Sequence, residues 1–368
     1  QPGHDAWRNS NSGLYNIDFT DAGGSLLNKV QVKITSGPNQ SGILVTDWAD
    51  NSTGLNSASY TDNWPLVTGH WSLLLSGTNY ISVKVFDNAG NASNLNDVFY
   101  VRKDTIAPAA VSLVSPADGA ARNTLAPVLD FTDSTDQPGG VAGYEVIVST
   151  LEDTSVVASS GAPAASQFTA SLALSTTHYW KARAKDNAGN YSAYSSIYAV
   201  IIDTIAPVIT DNQPGEAAWR KADAGAVYNV DFADALSRLD TIQYSAWTAP
   251  GRTGTNPIGW TELAASLNQP AYQADWAVNF ALLAAGTNYI SARAWDRAGS
   301  TGTLSDVFTV LKDTFGPTVT DNQAGDNVWR NSNSGSYDVD FLDALSGLAT
   351  AQYYISTGTA MTGTMLVN

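Results

Sequence analysis

Three tyrosines set a ruler for this chain. Tyr80, Tyr179 and Tyr289 each stand seven residues before an aspartate: Asp87, Asp186 and Asp296. Each of those stands seventeen residues before a second aspartate, Asp104, Asp203 and Asp313, which opens an Asp-Thr-x-Ala/Gly-Pro string. All three landmarks step by 99 and then 110 residues, from 80 to 179 and from 179 to 289. A period of that size means tandem modules, each large enough to bury its own core. The ruler divides the chain at 1–107, 108–206, 207–316 and 317–368.

Within a module the pattern is that of short strands. Gly13 to Phe19 alternates apolar and polar, as do Val30, Val32 and Ile34. Ile81, Val83 and Val85 alternate with Ser82 and Lys84, so the first three face one side of a sheet. The matching positions are Trp180, Ala182 and Ala184 in the second module and Ile290, Ala292 and Ala294 in the third. Turns rich in Gly, Asn, Asp and Ser separate these runs, which predicts an all-β chain of tandem β-sandwiches. Trp71 to Gly77 reads as a compact crossover, too short for a helix that stands alone. Trp7-Arg8 recurs as Trp219-Arg220 and Trp329-Arg330, and Asp18-Phe19 as Asp231-Phe232 and Asp340-Phe341. The second module lacks the Trp-Arg opening and forms a subtype of its own. By the first module's ruler the fourth stops before half its sandwich is built. That predicts a window from a longer array, or a module completed by a neighbour's strand.

Charge narrows the function classes. The formal net charge is −16, and of 34 acidic residues all but Glu145, Glu152, Glu216 and Glu262 are aspartate. Aspartate competes with the helical backbone and favours turns and hard-cation sites. So acidic a chain does not suit nucleic acid or an anionic membrane surface. No apolar run is long enough for a membrane helix, and with no cysteine there is no disulfide. His4, His70 and His178 fall at three different places of the repeat, and no catalytic motif accompanies them. Gly251 to Gly259 carries glycines but no following helix, so it is not a phosphate loop. The chain reads as non-enzymatic, with no cofactor required.

Two features stay open between function and structure. Eleven tryptophans include the recurring pairs Trp48/Trp260 and Trp64/Trp276. They serve core packing and arginine contacts, or stack on sugars. Phe86 and Trp295 fall on the face opposite the core strand's inward residues.

The strings LLSGTNYISVKV (Leu74–Val85) and LALSTTHYWKARAKDNAGN (Leu172–Asn190), with GYEVIVS, are similar to fibronectin type III domains. The other three modules resemble a bacterial immunoglobulin-like variant, and the strings DNAGN and DTxAP are similar to those of tandem modules in large bacterial surface proteins and adhesins. The resemblance implies a tyrosine corner, in which the hydroxyls of Tyr80 and its counterparts bond back to the crossover. It implies a secreted or cell-surface location, bacterial origin, and a stalk or fibre role. The partners would be the neighbouring modules of the same chain, with other copies in a fibre or surface glycans beyond them. The other roles it allows are a carbohydrate-binding accessory array of a secreted hydrolase and a self-assembling filament subunit.

In such a sandwich the second-strand loop and the last hairpin share the pole that meets the preceding linker. Asp104 should then approach Asp133, Asp136 and Asp186, Asp203 should approach Asp234 and Asp296, and Asp313 should approach Asp343. Asp104 would keep company with Asp186 of the next module, not with Asp87 of its own. Ca²⁺ is the ion such carboxylates would hold at module junctions. Turn formation alone is the competing reading, since Asx-turns need no ion.

Overall fold

The computed structural model describes residues 6–63, 65–213, 218–323, 329–332 and 335–367. His4, Trp64 and Glu216 lie outside the described residues. Two compact units, 1–202 and 203–368, divide the chain.

The first unit holds two sandwiches. In the first, a five-stranded sheet runs in the order Trp7–Arg8, Ala92–Lys103, Gly77–Asp87, Leu27–Gly37, Ser41–Ser57. Phe19–Thr20 pairs with Ser59–Tyr60 across the core. The alternation dictates the packing: Val32, Ile34 and Ile81 are fully buried, and Val83 nearly so. From Gly13 to Phe19 the burial alternates as the sequence implies, with Gly13, Tyr15 and Phe19 inside. Tyr15 stacks on Phe99 with ring centroids 4.0 Å apart. The second sandwich sets Gln167–Thr169, Val128–Phe131 and Leu113–Ser115 against a second sheet. That sheet is ordered Val157–Gly161, Val141–Ser149, Thr177–Asp186, Tyr198–Ile202, Ala120–Arg122. Its core gathers around Trp180, fully buried with Ala182 and Ala184.

The second unit repeats the first subtype. Val208–Asp211, Val230–Ala233 and Ala271–Tyr272 face a sheet ordered Trp219–Arg220, Thr301–Lys312, Gly286–Asp296, Leu239–Trp247, Ile258–Ala264. Ile290, Ala292 and Ala294 are fully buried. Beyond it, Thr318–Asp321 pairs with Val339–Leu342 as an exposed ribbon.

Two expectations need correction. Thr68–Leu73 does form a short α-helix, which burial of His70 and Trp71 holds in place of its own length. The tyrosines do not make the corner. Tyr80, Tyr179 and Tyr289 are half-buried, because their neighbours Ile81, Trp180 and Ile290 take the inward positions. The residue before each tyrosine faces in instead. Asn79 is fully buried: its Oδ1 accepts the Leu75 N–H at 3.0 Å, and its Nδ2 donates to the Leu75 and Gly77 carbonyls. Asn288 repeats those bonds with Ala284 and Gly286. In the second module His178 replaces asparagine, with Nδ1 3.1 Å from the Thr176 carbonyl. Burial holds its pKa below the ordinary value of 6.5.

Candidate metal centres at the linker aspartates

The Trp-Arg pairs begin the sites. Trp7–Arg8 lies parallel to the end of Ala92–Lys103, and Trp219–Arg220 parallel to the end of Thr301–Lys312. The Arg8 carbonyl then accepts the N–H of Asp104 at 2.9 Å, and the Arg220 carbonyl that of Asp313 at 2.9 Å. The sequence shows the recurrence of Trp-Arg but not this role, since a two-residue strand carries no period.

Each linker carboxylate is held alike. Oδ1 of Asp104, Asp203 and Asp313 accepts the N–H two residues ahead, from Ile106, Ile205 and Phe315, at 3.0 Å in every case. That is the Asx-turn. Oδ2 accepts an N–H from a distant loop: Gly139 at 2.9 Å, Ser237 at 3.0 Å and Ser346 at 3.1 Å. Each aspartate therefore pins its linker to the loop of the module that follows. At Gly139 the fit is tight enough that a Cβ would overlap the Asp104 carboxylate.

Two trios result. Carboxylate oxygens of Asp104, Asp136 and Asp186 lie within 4.8 Å of one another, and so do those of Asp203, Asp234 and Asp296. Asp186 and Asp296 come from the last hairpin. Asn190 donates its backbone N–H to Asp186 Oδ1 and its side-chain amide to Oδ2, both at 2.7 Å. The same amide reaches the carbonyls of Asp104 and Ile106. In the third module Ser300 stands where Asn190 does. It donates only its N–H, to Asp296 Oδ1 at 2.8 Å. Asp296 Oδ2 is left without a hydrogen bond, on a side chain 2% exposed. In the second module the orphaned oxygens are both of Asp136, which is 9% exposed.

Burial raises the pKa of Asp136, and the charges of Asp104 and Asp186 raise it further. Burial likewise raises that of Asp296, with Asp234 and Asp203 adding to it. None of the ion pairs among the described residues reaches these six carboxylates. Each trio therefore sets three carboxylates together, one of them with an orphaned oxygen, and no ion pair among the described residues offsets their mutual repulsion. Ca–O distances of about 2.3–2.6 Å let two oxygens on one ion stand up to about 5.2 Å apart, so the 4.8 Å spread fits a single ion.

The other aspartates named from sequence fall elsewhere. Asp133 is exposed and outside the first trio. Asp343 is half-buried and accepts N–H groups from Leu345 and Gly347, at 3.1 and 2.8 Å. It shares the loop of Ser346 with Asp313, and no third carboxylate joins them among the described residues. Asp313 accordingly shifts the other way: hydrogen bonds from Ser346, then Phe315, lower its pKa. Asp87 stays in its own module, where Ser25 Oγ bridges it to Asp21 at 2.9 and 3.0 Å.

The aromatic residues of the outer faces carry cations. Lys84 lies 4.2 Å from the Trp48 ring centroid, and Lys29 lies 5.2 Å from that of Phe86. Arg293 reaches both Trp260, at 4.1 Å, and Trp295, at 4.4 Å. Arg183 does the same with Tyr191 and Tyr194. Trp276 is buried, and its Nε1 donates to the Val230 carbonyl.

No family model matches the chain. A stretch of 172 residues is 32% identical to chitinase A1 of Niallia circulans; it makes up 45% of this chain and 22% of that protein. Fibronectin(III)-like modules of Clostridium thermocellum CbhA align at 16% identity and a TM-score of 0.30, covering 55% of this chain and 90% of theirs. A tetra-tandem repeat from the extending region of a large adhesion protein gives 16% and 0.29, covering 80% and 70%. A 1.5-MDa bacterial ice-binding adhesin structure gives 11% and 0.32, covering 84% and 94%. The strand order within each unit establishes the fold: the chain is a tandem array of β-sandwiches of the fibronectin type III-like and immunoglobulin-like kind.

Proposed function

We propose that this chain is a non-enzymatic stalk segment of a secreted or cell-surface protein, whose linkers are locked onto the following modules by Ca²⁺. The carrying observation is the pair of trios with orphaned, buried carboxylate oxygens. Turn formation explains the Asx-turn oxygens of Asp104 and Asp203. It does not explain why Asp136 and Asp296 bury carboxylate oxygens that lack a well-formed hydrogen bond, beside two other carboxylates. A cation at each trio would be held by Asp104, Asp136 and Asp186, or by Asp203, Asp234 and Asp296. It would cancel their repulsion and fix the Asp-Thr-Ile-Ala-Pro linker, already stiffened by proline, to the sandwich ahead.

Calcium titration by calorimetry, paired with melting in calcium and in chelator, tests this reading. Two bound ions per chain and a higher melting temperature in calcium are expected. Identical melts with no bound ion would sink it.

The stretch shared with a chitinase favours a second role, as an accessory array of a secreted hydrolase. The outer faces of Trp48 and of Trp260 with Trp295 are where glycans would stack, though cations already occupy those rings. Binding to a glycan array that is lost in Trp295→Ala would favour it over a passive stalk. A blank array would remove it.

A further inference from the structure

The outer face of each sandwich repeats one pair of positions. The cross-strand neighbours there are Gln31 and Lys84 in the first module, Glu145 and Arg183 in the second, and Gln243 and Arg293 in the third. In all three the cation lies over an aromatic ring. The modules differ in where its counter-charge comes from.

The first two faces are neutralised from within. In the first module Lys29 and Lys33, two residues either side of Gln31, pair with Asp50 and Asp47 at 3.1 and 3.4 Å. The Trp48 N–H, then Lys33 and more weakly Lys84, lower the pKa of Asp47. In the second module Arg183 Nε and Nη2 both reach Glu145 Oε2, at 2.8 and 2.6 Å, and the Tyr194 hydroxyl donates to Oε1 at 3.0 Å.

The third face has no such acid. Gln243 stands where Glu145 does, and its Oε1 accepts the same two donors, Arg293 Nε at 2.9 Å and Nη2 at 2.6 Å. The hydrogen bonds are kept, but the charge is not offset. No ion pair among the described residues reaches Arg293 or the exposed Arg252. Glu262, opposite Gln243 on the next strand, is exposed and pairs with neither. Burial lowers the pKa of Arg293, and the charge of Arg252 lowers it further.

A guanidinium carries five N–H donors, and Gln243 takes two of them. The outer edge, Nη1 with the second hydrogen of Nη2, is a fork that matches a carboxylate. Trp260 and Trp295, both half-buried, flank it with ring centroids 4.1 and 4.4 Å from the guanidinium carbon. We propose that this face binds an acidic glycan: a uronate carboxylate takes the outer edge of Arg293, Arg252 adds a second positive charge, and the sugar ring packs on the exposed part of the indoles.

The aromatic walls favour a sugar over a small anion, because only a ring can use their apolar area. The proposal rests on the accessory-array reading and narrows its ligand from glycans at large to acidic ones. The net charge of −16 opposes such a ligand from afar, but screening over about 8 Å at physiological salt leaves the local cations in command.

Calorimetric titration of the whole chain with oligogalacturonate, its methyl ester, a chito-oligosaccharide and polyglutamate tests the site. All four are titrated in chelator, since uronates bind calcium themselves. One site for oligogalacturonate and none for the ester are expected. Gln243→Glu supplies the internal carboxylate of the second module, so it should weaken binding at least about tenfold without lowering the melting temperature. Arg252→Ser, at an exposed position, should weaken it roughly two- to fivefold. No binding of oligogalacturonate, equal binding of the ester, or an affinity that Gln243→Glu leaves unchanged overturns the proposal. Binding of the chito-oligosaccharide alone overturns it and keeps the accessory array, whereas silence toward every glycan removes both. Polyglutamate binding as tightly as oligogalacturonate would give the face to an acidic protein and overturn the glycan.

Discussion

The second and third modules meet the same two demands with different residues. Both bring a linker aspartate, a loop aspartate and a hairpin aspartate to one pole. Both need a polar residue at the crossover to bond the chain where it turns. In the second module Asn190 ties Asp186 to the linker carbonyls, and the loop aspartate Asp136 is left orphaned. In the third, Ser300 cannot reach so far. The loop aspartate Asp234 is then satisfied by Arg238 N–H at 2.7 Å, and the orphan moves to Asp296. The orphan changes place and the trio persists. Hydrogen bonding thus adapts to each loop, while the shared element is a set of carboxylate oxygens around one point.

The largest effect should come from removing the orphans. Extracellular calcium modules bind in the range of about 10⁻⁴–10⁻³ M, so roughly 10 mM calcium should stabilise an intact trio by about 1–3 kcal/mol. That corresponds to a rise of roughly 5–15 °C in the melting of a module this size. Asp136→Asn should abolish the rise in the second module alone, and Asp296→Asn in the third alone. In chelator both variants should melt above the parent, because each removes a buried charge from a like-charged neighbourhood. Calorimetric melts that fall in chelator would break the comparison.

Next in size is the exchange at the hairpin. Asn190→Ser should cost the second module about 1–2 kcal/mol in chelator, since it removes an amide bonded to a carboxylate and two linker carbonyls. Ser300→Asn should do the reverse more weakly, by about 1 kcal/mol. It should also lower calcium affinity at the third module, since the new amide would compete for Asp296 Oδ2. Chemical denaturation with matched calcium titrations measures both. Equal calcium affinity in Ser300→Asn and parent would show that the orphaned oxygen is not a ligand.

Much of this pattern is legible in sequence, and the gaps have physical reasons. The inward triplets Ile81/Val83/Val85, Trp180/Ala182/Ala184 and Ile290/Ala292/Ala294 follow from a period of two. The same period excludes a tyrosine corner, since Tyr80 and Ile81 cannot both face the core. Asn79 and Asn288 were the inward residues, hidden by the more conspicuous tyrosine beside them. The trios could be drawn from loop order, because sandwich topology sends one loop and one hairpin to the linker's pole. Choosing between Asp133 and Asp136 could not be done that way. Both sit in one irregular loop, and only its path buries one and exposes the other. Asp21 and Asp87 carry no such signal, because a serine hydroxyl joins them across 62 residues and Ser25 stands in no motif.

The smallest effect belongs to the crossover. Asn79 and Asn288 bond the turning backbone with a group that does not titrate near neutrality. His178 does the same task and can gain a proton. Its pKa is lowered in the fold by burial, so the folded module resists a proton that the unfolded chain accepts. The sign follows directly. The stability it contributes is complete above the ordinary 6.5 and drains away as pH falls from there through the lowered folded value. One proton gives a slope of at most about 1.4 kcal/mol per pH unit. His178→Asn, which copies the neighbouring modules, should remove that slope from the second module and leave the third unchanged. Denaturation midpoints of both modules between pH 7 and 5 read it out. A slope that survives the substitution would place the titrating group elsewhere and return the two crossovers to equivalence.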